Sequence, residues 1–218
     1  MSWSEALFEQ LASALEHEGI AVLPEALPLM VATALHTYVQ SLRPVDFHLA
    51  GVGRGDELIH TRAIRSNQIH WLKTENAGLD AWFSWTEALR LYLNRRLFLG
   101  LFEFESHIAR YAPGDRYQRH VDAFRGGPNR ILSLVTYLNR DWLNDEGGQL
   151  VVYTPEQPAQ VLHRVLPADG TVVCFLSEKF THEVLPASRL RHSVSGWFHV
   201  NSANSLPGLS TPEYPPQA

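Results

Sequence analysis

The stretch Arg110-Tyr111-Ala112-Pro113-Gly114-Asp115-Arg116-Tyr117-Gln118-Arg119-His120-Val121-Asp122 ends with an imidazole and a carboxylate two positions apart. In an extended strand, side chains at i and i+2 leave the same face, so both could reach one metal ion. The pair needs a third ligand from elsewhere, and His182, in Phe180-Thr181-His182-Glu183-Val184-Leu185-Pro186, is the candidate. Two histidines and one carboxylate on one face of a metal make the facial triad that suits non-haem Fe(II), leaving positions open for oxygen and a cosubstrate. A His-x-Asp match also arises by chance, so the chain after His182 has to decide.

Nine positions after His182, Arg191 opens an alternating run. Period-2 alternation puts Arg191, Ser193, Ser195 and Trp197 on one face and Leu190, His192, Val194 and Phe198 on the other. If the apolar face packs on helices, Arg191 points into a barrel, where a buried cation must be paired. Its planar fork suits a carboxylate, and the Tyr137 hydroxyl could donate to the same group. The alternative is an internal salt bridge, for which the nearer acids are Glu183 and Asp169.

Upstream, Trp3, Leu7, Leu11 and Leu15 recur at four-residue steps, the pattern of an amphipathic helix that Gly19 ends. A short strand over 20–23, a helix over 24–42 and a helix over 79–99 carrying Trp82, Trp85, Leu89 and Leu93 on one face follow. Those aromatics read as core rather than as a cofactor box. Residues 46–63 read as a mobile glycine-rich loop, and Gly51-Val52-Gly53-Arg54-Gly55 lacks the spacing of a dinucleotide fingerprint. From residue 102 the period becomes alternating, with candidate strands at 102–111, 117–121, 130–139, 149–154, 160–166, 171–176, 182–185 and 190–200. Turns at Pro113-Gly114, Gly126-Gly127-Pro128, Gly147-Gly148 and Asp169-Gly170 separate them, and the acidic pair Asp145-Glu146 is read as solvating one such turn. Helices followed by about eight strands predict an α+β, mainly β fold: a sandwich or jelly-roll barrel with the helices on one outer face.

The whole chain has 218 residues, 45% of them hydrophobic, which suits one domain over 1–205 with helical support to about residue 100 and a flexible tail from 206. A net charge of −5 argues against a nucleic-acid or anionic-membrane footprint, leaving a protein or a small molecule as partner. Cys174 is the one cysteine, read as a buried core thiol; this, with no signal-like start and no membrane-length apolar run, predicts a soluble, unprocessed cytoplasmic protein, expected as a monomer. His17, His36, His48, His60, His70, His107, His163, His192 and His199 read as surface or hydrogen-bonded core residues, although His107 shares strand parity with Tyr111.

The segment from Tyr111 to Val200 resembles the catalytic domain of Fe(II)- and 2-oxoglutarate-dependent prolyl hydroxylases of the hypoxia-inducible-factor type and their bacterial relatives. The resemblance is carried by Tyr111 with Pro113-Gly114, Arg119-His120-Val121-Asp122, Tyr137-Leu138-Asn139-Arg140-Asp141-Trp142, Gly147-Gly148, His182-Glu183-Val184-Leu185-Pro186-Ala187, Arg191 and Trp197-Phe198. It extends more weakly to Ile64-Arg65-Ser66-Asn67-Gln68-Ile69-His70-Trp71. Asn67 stands where the animal enzymes have an acidic residue, and Ala112 is an extra residue between Tyr111 and Pro113.

The resemblance implies a double-stranded β-helix, cupin-like barrel in which His120, Asp122 and His182 hold iron. It implies that 2-oxoglutarate meets Arg191 and Tyr137, with Tyr111, Ser193 and Trp197 around it. Arg130, Arg65, Asn67 and Trp197 would border the substrate, and the loop over 49–62 would be a lid. The reaction implied is hydroxylation of a prolyl residue with O2 consumed, succinate and carbon dioxide released, and ascorbate as reductant. Elongation factor Tu is the leading substrate that the resemblance suggests. Free proline or another small amino acid, a ribosomal protein, and a non-catalytic sensor of oxygen or 2-oxoglutarate stand as alternatives.

Overall fold

The computed structural model describes residues 3–50, 64–123 and 130–201. The proposed lid, the turn at Gly126-Gly127-Pro128 and the tail from 206 lie outside them or nearly so.

Three helices come first. In α1 (Glu5–His17) the Ser4 side chain accepts from the Leu7 N–H, Glu5 complements the positive end, and Gly19 leaves the helix at φ +80°. Its buried face is Phe8, Leu11, Ala12 and Leu15. After β1 (Ile20–Leu23), α2 is Leu29–Ser41, five residues shorter at its start than the sequence suggests. Glu25 takes φ +53°, which no α-helix tolerates, and Pro28 then serves as the N-cap residue. Helix α3 (Asp80–Leu97) buries Trp82, Trp85, Leu89 and Leu93 completely, each worth roughly 1.5–3 kcal/mol of transfer free energy.

The strands are β2 (His48–Leu49), β3 (Gln68–Leu72), β4 (Leu101–Tyr111), β5 (Tyr117–His120), β6 (Arg130–Tyr137), β7 (Leu150–Tyr153), β8 (Val161–Val165), β9 (Val172–Leu176), β10 (His182–Val184) and β11 (Arg191–Val200). The last eight match the predicted ones within a few residues. Strands β2 and β3 correct the reading of this region: they pair antiparallel and extend the sheet beside β4, a short ladder that the glycine-rich stretch between them obscures.

These strands form a seven-stranded sheet in the order β1-β9-β6-β11-β4-β3-β2 and a four-stranded sheet in the order β5-β10-β7-β8. One core lies between the helices and the outer face of the large sheet, where Ile108, Leu132, Leu134, Cys174, Val194 and Phe198 meet Leu11, Leu35, Trp82 and Trp85. A second lies between the sheets, with Tyr111, Tyr137, Leu150, Val152, Val173, Phe175 and Phe180. The alternation of β11 therefore sorts as expected, Val194 and Phe198 outward to the helices and Arg191 and Ser193 inward. Leu190 is the exception: it precedes the strand and is 42% exposed. This is the double-stranded β-helix architecture.

Glu146 does more than solvate its turn. It accepts from the Leu143 N–H at 2.7 Å, closing a 3-10 turn, and pairs with Arg189 at 2.9 Å. Gly147 and Gly148 follow at φ +73° and +70°. A Cβ on Gly147 would sit 2.4 Å from the Pro186 carbonyl, so only glycine lets the backbones meet.

Candidate active site

His120 ends β5 and His182 begins β10, and the two are direct cross-strand partners. Their ring centroids are 4.2 Å apart. Asp122 lies two residues past His120, with Oδ1 3.5 Å from His120 Nε2 and 3.7 Å from His182 Nε2. One donor atom from each lies within 4.8 Å of the others.

The surroundings aim these atoms. His120 Nδ1 donates to the Gln118 carbonyl at 2.8 Å, and His182 Nδ1 donates to the Phe180 carbonyl at 3.0 Å. A carbonyl can only accept, so both rings carry their proton on Nδ1 and turn the Nε2 lone pair inward. Asp122 Oδ2 accepts from Ser133 at 2.6 Å, which leaves Oδ1 to face the imidazoles. Tyr117 stacks on His120 at 3.6 Å and 18°.

The electrostatics agree with a cation site. Burial would raise the Asp122 carboxyl, but His182, His120 and the Ser133 hydroxyl outweigh it and hold it well below the carboxylate range. Burial, reinforced by His120, brings His182 down to about 4, so its lone pair is free at neutral pH. Two imidazoles with their Nε2 atoms turned to one ionised carboxylate fit a divalent first-row metal such as Fe(II).

Deeper in the barrel, Arg191 is only 2% exposed. Its Nε donates to the Gly148 carbonyl at 2.9 Å and its Nη1 to Ser193 Oγ at 3.2 Å. The guanidinium carbon lies 4.7 Å from the Tyr111 ring centre and 5.1 Å from that of Tyr137. No carboxylate among the described residues pairs with it: Glu183 is held by Arg119 and the Tyr153 hydroxyl, and Asp169 by His36 at 2.7 Å. The Tyr137 hydroxyl, beside it, is buried with no partner among the described residues. A buried cation and an unsatisfied hydroxyl together fit an anionic oxygen group on a ligand.

Of the predicted substrate-side residues, Arg130 lies 3.8 Å above Trp197 and pairs with Glu105 at 2.7 Å. Arg65 lies 4.5 Å above Tyr117, on the side chain that stacks on His120. Asn67 is completely buried and accepts from Arg65 Nε at 2.9 Å, so it supports Arg65 rather than standing at the surface. Sequence reasoning missed Ser133 and Tyr117. Ser133 shares the face of Tyr137 four residues on, which was the available signal.

The description "2OG-Fe(II) oxygenase superfamily" matches residues 106–199, spanning the triad and Arg191. A prolyl-4-hydroxylase of Pseudomonas putida is 34% identical, with TM-score 0.78, over 90% of this chain and 100% of that one. The chain belongs to the 2OG-Fe(II) oxygenase superfamily. Its likeness within that superfamily is to prolyl hydroxylases. One from Trichoplax adhaerens, solved with a peptide fragment of the hypoxia inducible factor oxygen degradation domain, is 25% identical with TM-score 0.74, covering 89% of this chain and 90% of that one. Human Egl nine homolog 1 is 23% identical over 198 residues, 87% of this chain but 46% of that protein. This oxygenase chain thus spans about half the length of the Egl nine relative. No helix among its described residues is long and apolar enough to cross a membrane.

Proposed function

We propose that the chain is an Fe(II)- and 2-oxoglutarate-dependent dioxygenase that hydroxylates a prolyl residue of a protein, elongation factor Tu first among candidates. Arg191 carries the reading: a buried cation without an acidic partner among the described residues, beside a Tyr137 hydroxyl likewise unpartnered among them, on the inward face of a barrel that also holds a His-Asp-His cluster. In this reading His120, Asp122 and His182 hold Fe(II). Arg191, Tyr137 and Ser193 take the far carboxylate of 2-oxoglutarate, and Tyr111 and Trp197 wall its flank. The metal with 2-oxoglutarate and O2 supplies the oxidising chemistry, releasing succinate and carbon dioxide.

The protein's own work is orientation. The Gln118 and Phe180 carbonyls fix both imidazole tautomers, and Ser133 fixes the carboxylate. Phe175, packed edge-on against His182 at 5.0 Å, shields that imidazole from bulk water. Arg130 on Trp197 and Arg65 on Tyr117 border the approach of a polypeptide. Ascorbate would keep the metal reduced. A cytoplasmic monomer is consistent with the single buried cysteine.

The likeness to prolyl hydroxylases supports the reaction, and the resemblance to bacterial enzymes supports the substrate. The test is mass spectrometry of elongation factor Tu after incubation with the protein, Fe(II), 2-oxoglutarate, ascorbate and air. One added oxygen on one prolyl residue, dependent on 2-oxoglutarate and lost in Arg191→Ala, is expected. Succinate without that product would discard this substrate, and neither product would discard the enzyme.

A further inference from the structure

Three polar atoms inside the barrel have no hydrogen-bond partner among the described residues, and no hydrogen bond of the arrangement above uses them. They are both ring nitrogens of His107 and Nε1 of Trp197. His107 is 1% exposed and Trp197 7%. On β4, His107 lies on the same face as Tyr111, and its partner on β11 is Ser195, one alternation before Trp197. The two rings are 5.3 Å apart, and Trp71 packs edge-on against His107 at 5.0 Å. In the β11 register Ser195, opposite His107, and Trp197 follow Arg191 and Ser193 on the inward face, and Arg130 lies 3.8 Å above Trp197.

An unsatisfied buried polar atom costs roughly 1–3 kcal/mol, so three on neighbouring rings call for a ligand. Trp85 Nε1 is also unpartnered, but it stands alone in the helical layer. Burial, with the cations of Arg65 and Arg130, holds His107 down to about 3. At neutral pH it therefore offers one N–H donor and one lone pair, and Trp197 offers one N–H. Two donors and one acceptor, all uncharged, fit neither a carboxylate nor an ammonium group well. They fit peptide backbone, whose carbonyl oxygen takes two donors while a neighbouring N–H needs an acceptor.

We propose that His107 and Trp197 form a neutral subsite that recognises the substrate's peptide backbone next to the reacting residue. The His107 and Trp197 N–H groups share one carbonyl oxygen, and the second His107 nitrogen accepts from an adjacent amide. The inference deepens the prolyl hydroxylase reading and rests on it for the placement of the substrate. It also says why a polypeptide would be preferred over free proline: the free amino acid presents charges to groups that cannot answer them.

The test uses the full chain loaded with Zn(II) and 2-oxoglutarate, labelled with 15N in histidine and tryptophan. It is titrated with N-acetylproline N-methylamide, the corresponding N,N-dimethylamide, and free proline. The methylamide should shift both His107 ring nitrogens and the Trp197 N–H. The dimethylamide, lacking the N–H, should leave the accepting nitrogen unmoved, and free proline should move none of the three. His107→Phe should weaken methylamide binding by roughly tenfold or more, the loss of one or two hydrogen bonds, while His107→Gln, which keeps a donor and an acceptor, should recover most of it. Equal responses to all three probes, or none to the methylamide, would overturn the proposal. Oxygen incorporation is read separately. Hydroxylation with silent His107 and Trp197 signals sinks this inference alone, whereas an amide-specific response without any hydroxylated product sinks only the catalytic reading.

Discussion

Ser133, on the large sheet, donates a 2.6 Å hydrogen bond to Oδ2 of Asp122, which follows the edge strand of the small sheet. Ser177 lies 2.9 Å behind Ser133, and since the Ser133 proton goes to Asp122, Ser177 donates to Ser133. The chain of hydroxyls stops the carboxylate from rotating, so Oδ1 stays on the side of His120 and His182. Ser133→Ala should lower affinity for Co(II), a spectroscopic substitute for Fe(II), by about 10–100-fold with the fold intact. Ser177→Ala, one bond further out, should cost less. Unchanged affinity in Ser133→Ala, measured by absorption titration, would remove Ser133 from the site.

Arg191 is held by one carbonyl, one hydroxyl and two aromatic faces, with no acid among the described residues. The fold thus carries a buried charge whose compensation is left to a ligand. In Arg191→Met the ligand-free protein should change stability by no more than about 2 kcal/mol, because the lost hydrogen bonds are offset by the removal of an unpaired charge. Binding of 2-oxoglutarate should weaken at least about 100-fold, as for a truncated buried charge pair. Calorimetric titration beside a urea melt separates the two. A collapse of stability with cosubstrate affinity retained would make Arg191 structural.

What the sequence made legible was whatever depends on local parity. The inward face of β11 follows from the strand repeat, and His120 and Asp122 do converge, although β5 ends at His120 and Asp122 reaches the cluster from the bend just past it rather than from the strand itself. Long-range pairing was not legible in the same way: the register that sets His182 opposite His120 is fixed by β7 and β10 in the small sheet, far along the chain. Ser133 was hidden because a serine in a strand has many innocent explanations. In sequence His107 reads as a surface or hydrogen-bonded histidine, yet it is buried with neither nitrogen bonded among the described residues, a fact that only neighbouring strands could decide. Asn67, expected at the substrate, is instead sealed beneath Arg65.

The glycine pair before β7 joins the loop to Arg191. Gly147 bridges Ala187, and the Gly148 carbonyl receives Arg191 Nε. Gly147→Ala would force a methyl against the Pro186 carbonyl at a positive φ, so the backbone must move. The expected loss is about 2 kcal/mol or more by urea denaturation, with weakened 2-oxoglutarate binding because the Gly148 acceptor shifts. Gly78→Ala is the control: it also has positive φ but nothing within 4 Å, so it should cost less and leave the cosubstrate alone.

Acid should unfold the metal-free protein through its neutral histidines. Burial, helped by nearby cations, lowers His192 to about 4 and His107 to about 3, and burial with His120 lowers His182 to about 4. Their unfolded value is near 6.5, so the unfolded chain takes up protons first as pH falls. Stability is therefore full above about pH 6.5 and lost progressively toward pH 4 and 3. Glu105 adds at lower pH: burial raises its carboxyl, but His199 and Arg130 outweigh that and bring it to about 2, so its share is lost between about 4.5 and 2. Each fully buried neutral histidine contributes a slope of about 1.4 kcal/mol per pH unit once pH is well below 6.5. Urea melts in EDTA between pH 7 and 4.5 should show at least that slope, and His107→Phe should reduce it by about one histidine's worth. An undiminished slope in that variant would mean that His107 is protonated inside the barrel, and a charged ring there would be a different recognition element from a neutral one.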